Sequence, residues 1–249
     1  MRPTSAAPTT PATPAGNLRS VDVLASYTER IASDVKLMRP MKIVVDCGNG
    51  VGRQYVSAGL KLKAIRNIFI THQHSDHNAD YGTLLLLAWA TDLTGPVDTW
   101  GPPPLAAMTT KFLELYDYDI RTLIADEGRP PLAPMIHPHE LTEGGLVMQD
   151  ANVKVTSALV KHPPVSPAFA FRFDAADRSI VISGDTAPSE NLVRLAYGAD
   201  VLVHEVMHLP SLDKLLSTDE VRDLMTFLMN DEPRPKPPPA KLAAPAKAK

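Results

Sequence analysis

Three histidines and an aspartate fall within six positions of the segment THQHSDHNAD, residues 71–80: His72, His74, Asp76 and His77. Imidazole nitrogens and carboxylate oxygens are the ordinary protein ligands of zinc-like ions. The cluster follows the apolar run NIFI directly, so it leaves the end of a strand. There a histidine pair at i and i+2 is released from regular pleating and can turn both rings onto one ion. The next two ligands, Asp76 and His77, can serve a second ion beside the first. Four potential ligands in six positions are hard to read as an ordinary polar loop.

Two ions need more ligands than one loop supplies. The chain offers them at later strand ends: His162 closes VKVTSALVKH, Asp185 closes SIVISGD, and VLVHEVMH carries His204, Glu205 and His208. Each alone would be unremarkable. Their repetition at successive strand ends carries weight, because open α/β sheets gather ligands along one edge.

The elements that must position these residues alternate between strand and helix. SVDVLASYTERIASDVKL has Val21, Leu24, Tyr27, Ile31 and Val35 at helical spacing, and MKIVVDCGNG reads as a buried strand running into a glycine turn. A short helix through GRQYVSAGL, the strand IRNIFIT, a buried helix at DYGTLLLLAWATDL, the strand VDTWG and a helix over PPLAAMTTKFLELYDYD follow. Further strands are expected at NVKVTSALVKH, AFAFRFD, SIVISGD and DVLVHEV, with a helix at SENLVRLAYG. The class is therefore α/β with mixed sheets. His137 and His139 in MIHPHEL are parted by a proline and read as a substrate-side loop. Trp100 with its three following prolines reads as a rigid wall near a cleft.

Composition narrows the function classes. The 249 residues, 44% hydrophobic, suit one α/β domain, placed at residues 20–230 with an atypical helix at 20–40. The leader at 1–19 and the tail at 231–249 are rich in proline and alanine and poor in large apolar residues, so both read as disordered. A formal net charge of -3 argues weakly against a dedicated nucleic-acid binder and leaves a nucleic-acid partner only through a local basic face. The single cysteine, Cys47, excludes an intrachain disulfide and a cysteine-only zinc site, and is read as packed rather than reactive. No run is long and apolar enough for a membrane span, and no secretory signal is visible, so a cytoplasmic protein without a membrane partner is expected.

HQHSDH, VKHPP, SGDTAP and VLVHE, in this order, resemble the metallo-β-lactamase-fold hydrolases, most of all the ribonuclease Z and arylsulfatase-like branch, over about residues 45–216. The resemblance implies an αββα sandwich, here incomplete at its first strands and C-terminal end, with a dinuclear zinc site; manganese or iron are alternative ions. It implies that His72, His74 and His162 hold one ion, Asp76 and His77 the other, and that Asp185 bridges both. A metal-bridging hydroxide would attack a phosphodiester, sulfate ester or related ester, with Asp76 orienting it and His204 and Glu205 helping to protonate the leaving group. The implied partner is a small ester or phosphodiester substrate, and a homodimer is expected.

The resemblance also has departures. The last metal-binding histidine of the family has no clear counterpart, and His208 is the candidate replacement. Asp80 and Tyr81 stand where ribonuclease Z-like proteins carry Gly-Leu-Pro, which weighs against tRNA 3′ processing. Residues 20–51 resemble a segment of phosphomannomutases and phosphoglucomutases, but the phosphoserine and aspartate-rich metal loops of those enzymes are missing. A truncated or fused family member with weak or no catalysis is the competing reading, and β-lactam hydrolysis a further one.

Overall fold

The computed structural model describes residues 43–206. The expected leader, the helix at 20–40, His208 and the tail lie outside the described residues, as does most of the mutase-like segment. Among the described residues no helix is long and apolar enough to cross a membrane.

Strands β1 (Ile43–Val45), β2 (Asn67–Phe69), β3 (Val97–Gly101) and β4 (Ile136–Glu140) form one parallel sheet in that order. A second sheet runs β5 (Gly145–Gln149), β6 (Val153–Val160), β7 (Ala168–Ala175), β8 (Ser179–Ile182) and β9 (Val201–Val203). Its pairs are antiparallel except β8 with β9, which are parallel. The helices are α1 (Val51–Ser57), α2 (Ser75–Asn78), α3 (Tyr81–Ala90), α4 (Leu105–Leu115), α5 (Asp117–Glu127) and α6 (Glu190–Ala196).

The period-2 alternation of strand side chains sets the layers. Ile68 and Ile70 pack with Leu84, Leu85 and Trp89 of α3. Phe69, between them, points the other way and meets Phe171 and Phe173 of β7 edge-on, with ring centroids 5.4 and 5.2 Å apart. Along β7, Phe169, Phe171 and Phe173 face that inter-sheet core, while Ala170 joins Val181 and Leu192 beneath α6. The order helix, sheet, sheet, helix is the αββα sandwich expected from the resemblance.

Three expectations change. MIHPHEL is the strand β4 rather than a loop. Pro138 is tolerated because β4 lies at the edge of its sheet, where a missing N–H leaves no neighbour unpaired. The helix expected to run on from PPLAAM through Asp119 ends at Leu115, and a separate helix, α5, follows until Gly128 terminates it with φ 68°. The strand β5 was not expected, because its alternation covers only five half-exposed residues.

Candidate metal centre

The end of β2 delivers the ligand loop. Thr71 and His72 are fully buried, and α2 then turns Asp76 and His77 back toward them. The loop is held from β1: Cys47 N–H donates to the carbonyl of His77 at 2.6 Å, and Asp80 N–H donates to that of Cys47 at 2.7 Å. Gly48 permits this approach, since a Cβ there would lie 2.1 Å from the carbonyl oxygen of Asp76. Gly184 does the same beside Asp185: its φ is +59° and a Cβ would come within 2.8 Å of Thr71.

His72, His74 and His162 converge. Nδ1 of His74 lies 3.0 Å from Nε2 of His72 and 2.9 Å from Nε2 of His162. One ring proton can satisfy only one of these contacts, so at least one pair of nitrogen lone pairs faces each other unless a cation sits between them. Ligands held at 2.0–2.1 Å from one ion stand about 2.9–3.4 Å apart, depending on the coordination angle, which is the spacing found here. His77, His72 and Asp185 form a second group whose ligand atoms all lie within 4.8 Å of one another. Asp185 reaches both groups, with Oδ1 3.3 Å from His77 Nε2 and Oδ2 4.0 Å from His162 Nε2.

Hydrogen bonds behind the ligands fix their tautomers. Thr71 Oγ1 donates to Asp46 Oδ2 at 2.9 Å, so its oxygen accepts from Nδ1–H of His72 at 3.0 Å. Nε2 of neutral His72 is thereby left bare toward the centre. His77 Nδ1 likewise lies 2.8 Å from Asp46 Oδ2, which turns its Nε2 toward Asp185. Burial, and then the neighbouring His77 and His162, push His72 down to about 3. Burial also lowers His162, whereas the Asp46 hydrogen bond raises His77. Such carboxylate-backed imidazoles are typical of metal ligands.

Asp46 is the functional residue that reading the sequence missed. The sequence places it only where the strand in MKIVVDCGNG runs into its glycine turn. A polar residue closing a buried strand was the available signal, but nothing local says that it reaches a histidine 31 positions on. Its backbone is held at φ 55°, an uncommon conformation for a residue with a side chain.

The remaining expected residues are placed as follows. Asp76 Oδ2 is 3.6 Å from His77 Nε2, and its side chain is 76% exposed, open to a substrate or water. Glu205 accepts a hydrogen bond from Thr186 N–H, beside Asp185, and its own N–H donates to Ser183 Oγ at 3.2 Å. Burial raises its pKa. His204 Nδ1 meets the carbonyl of Glu205 at 2.8 Å, and the ring lines a cavity of about 730 Å³ with Lys161, Leu192 and Leu202. No hydrogen bond or ion pair joins it to the two ligand groups among the described residues. Cys47 is fully buried, and burial pushes its thiol up, so it is packed as expected. Asp80 and Tyr81 have structural work: Asp80 Oδ2 accepts from Gly50 N–H at 2.6 Å, and the buried Tyr81 hydroxyl meets Thr99 and Thr109. Trp100 stacks between Phe69 and His139. The prolines after it adjoin the ligand loop, since Gln73 Nε2 donates to the Pro102 carbonyl at 2.6 Å.

The chain is similar to several known proteins. A family model described as "Beta-lactamase superfamily domain" matches residues 41–217. Ribonuclease Z of Mycobacterium sp. (strain KMS) is 37% identical over 186 residues, covering 74% of this chain and 65% of the relative. Ribonuclease Z of Mycolicibacterium gilvum (strain PYR-GCK) is 32% identical over 187 residues, with 74% and 65% covered. The chain thus spans just under two thirds of the length of these relatives. Among solved structures, the short form of human tRNase Z is similar with a TM-score of 0.56 at 23% identity, covering 77% of this chain and 80% of that one.

Proposed function

The chain belongs to the beta-lactamase superfamily, and on that footing we propose that it is a metal-dependent hydrolase of phosphodiesters, with RNA as the substrate class. The observation that carries this reading is the convergence of two ligand groups that share His72 and are both reached by Asp185. The relatives named ribonuclease Z support RNA over sulfate esters and lactams.

The donor set fits two zinc ions: His72, His74 and His162 would hold one, and His77, Asp185 and Asp76 the other. Such ions, when bound, supply the Lewis acidity that lowers the pKa of a coordinated water and polarises a phosphoryl oxygen.

The chain's own residues do the remaining work. Asp46 and Thr71 keep the Nε2 lone pairs of His72 and His77 aimed inward. Asp76, exposed at the mouth, accepts the proton of the attacking water at a carboxylate oxygen. Glu205 fixes the Asp185 loop through Thr186 N–H. His204 protonates the departing oxygen.

The test is metal content and turnover measured on the same preparation. Protein purified without chelator should carry close to two equivalents of zinc, which His74→Ala loses. It should cleave RNA or bis(p-nitrophenyl) phosphate, and Asp76→Asn should abolish turnover while the zinc held by His72, His74 and His162 is retained. Protein that takes up no zinc at neutral pH would sink the reading. Zinc-loaded protein without turnover would leave a metal-binding scaffold instead.

A further inference from the structure

A second cluster of metal-ligating side chains lies on the first sheet and shares no residue with the centre above. His137 and His139 are at i and i+2 on the edge strand β4, so both side chains leave the same face. Asp98 of β3 is the register partner of His137, and Trp100 that of His139, which places all four on that face.

The hydrogen bonding here is unbalanced. His139 Nε2 lies 2.8 Å from Asp98 Oδ1, which suits a donated proton. His137 Nε2 lies 3.2 Å from the carbonyl oxygen of Pro134, an atom that can only accept, so this nitrogen carries the proton. In a neutral ring Nδ1 is then bare, and it faces the same Asp98 oxygen at 3.5 Å. A lone pair is turned toward a carboxylate, which a cation between them would relieve.

The geometry points to a divalent transition-metal site formed by Asp98, His137 and His139. Two imidazoles and a carboxylate on adjacent strands are a donor set for Cu²⁺, Ni²⁺ or Zn²⁺ rather than Mg²⁺ or Ca²⁺. The two nitrogen-to-oxygen separations, 2.8 and 3.5 Å, lie close to the spacing of about 2.9–3.4 Å expected for ligands of one ion at 2.0–2.1 Å. The three ligand atoms do not all fall within 4.8 Å of one another as they do in the main centre. Binding therefore requires the His137 ring, 49% exposed, to give up its hydrogen bond to the Pro134 carbonyl and swing toward His139. That makes the site weaker than the main one. The indole of Trp100 stacks on His139 with centroids 3.9 Å apart and planes 13° apart, which favours an imidazole that gains positive character on binding an ion.

The stacking supplies a readout. Cu²⁺ on His139 would quench Trp100, whereas Trp89, the other tryptophan, is buried in the separate helix-side core. Full-length protein is titrated with Cu²⁺ while tryptophan fluorescence and bound copper are recorded, with reversal by EDTA. Quenching should persist in His74→Ala, which disables the main centre. It should disappear in His137→Ala together with one equivalent of copper, and need at least roughly tenfold more copper in Asp98→Asn, since losing a ligand costs no less than losing a group that supports one. Unchanged quenching in His137→Ala, or quenching that only His74→Ala removes, would overturn the assignment. His137 is solvent-facing, so its removal does not threaten folding; circular dichroism checks this.

Discussion

Asp46 Oδ2 and His77 Nδ1 stand 2.8 Å apart across 31 residues of chain, and the same carboxyl group accepts from both the N–H and the hydroxyl of Thr71. One side chain just after the first strand thus orients one candidate ligand directly and a second, His72, through a threonine.

Asp46→Asn should expose that role. The amide matches the carboxylate in size and tolerates the positive φ, but its NH₂ would face His77 Nδ1. The ring would then carry its proton on Nε2, toward the ion. Zinc affinity is expected to fall about 10–100-fold, as for other groups behind metal ligands. Competition with a chromophoric chelator measures this, and affinity within twofold of the parent would contradict the role.

Removing the metal should destabilise the fold as well as silence it. Without an ion, the nitrogens of His72 and His162 each remain about 3 Å from that of His74. A ligand present at 1,000 times its Kd adds about 4 kcal/mol to stability. The melting temperature should therefore drop on adding EDTA and recover with excess zinc. In His74→Ala the zinc-dependent shift should be absent or greatly reduced, and an undiminished shift would place the stabilising ion elsewhere.

The inter-sheet aromatic layer should dominate stability. Phe171 is fully buried and its ring lies 5.4 Å from that of Phe69. Phe171→Ala is expected to cost about 3–5 kcal/mol, seen as a lower urea midpoint with unchanged slope. A loss below 1 kcal/mol would mean that the two sheets do not rely on this contact.

Acid should loosen the β8–β9 connection. Asp200 accepts from Ser179 N–H at 2.7 Å and from its hydroxyl at 2.9 Å, and these bonds hold its pKa below the ordinary 3.8. A depressed carboxylate pKa contributes stability above the unfolded value, lost as pH falls through the folded one. Asp200→Ala should lower stability at neutral pH and shrink the acid-side loss. Parallel melting curves from pH 7 to pH 3 for both proteins would refute this.

What could be read from residues alone was whatever local pattern encodes. The spacing of His72, His74, Asp76 and His77 singled out the candidate ligand loop, an apolar run marked β2 and alternation marked β6 and β7, because side-chain period and ligand chemistry are local properties. The sequence also pointed to His162 and Asp185 as strand-end residues. It did not show that their ligand atoms come within a few ångströms of His74 and His77, since that depends on how two sheets stack. Asp46 went unread for the same reason: its partners lie 25 and 31 positions away. The strand β4 was hidden by Pro138, whose cost vanishes only at a sheet edge, and strand order is a tertiary fact. The sequence by itself determined the donor types and the strands that carry them. Only tertiary packing decided which donors meet, because the sheets join strand ends that the chain keeps far apart.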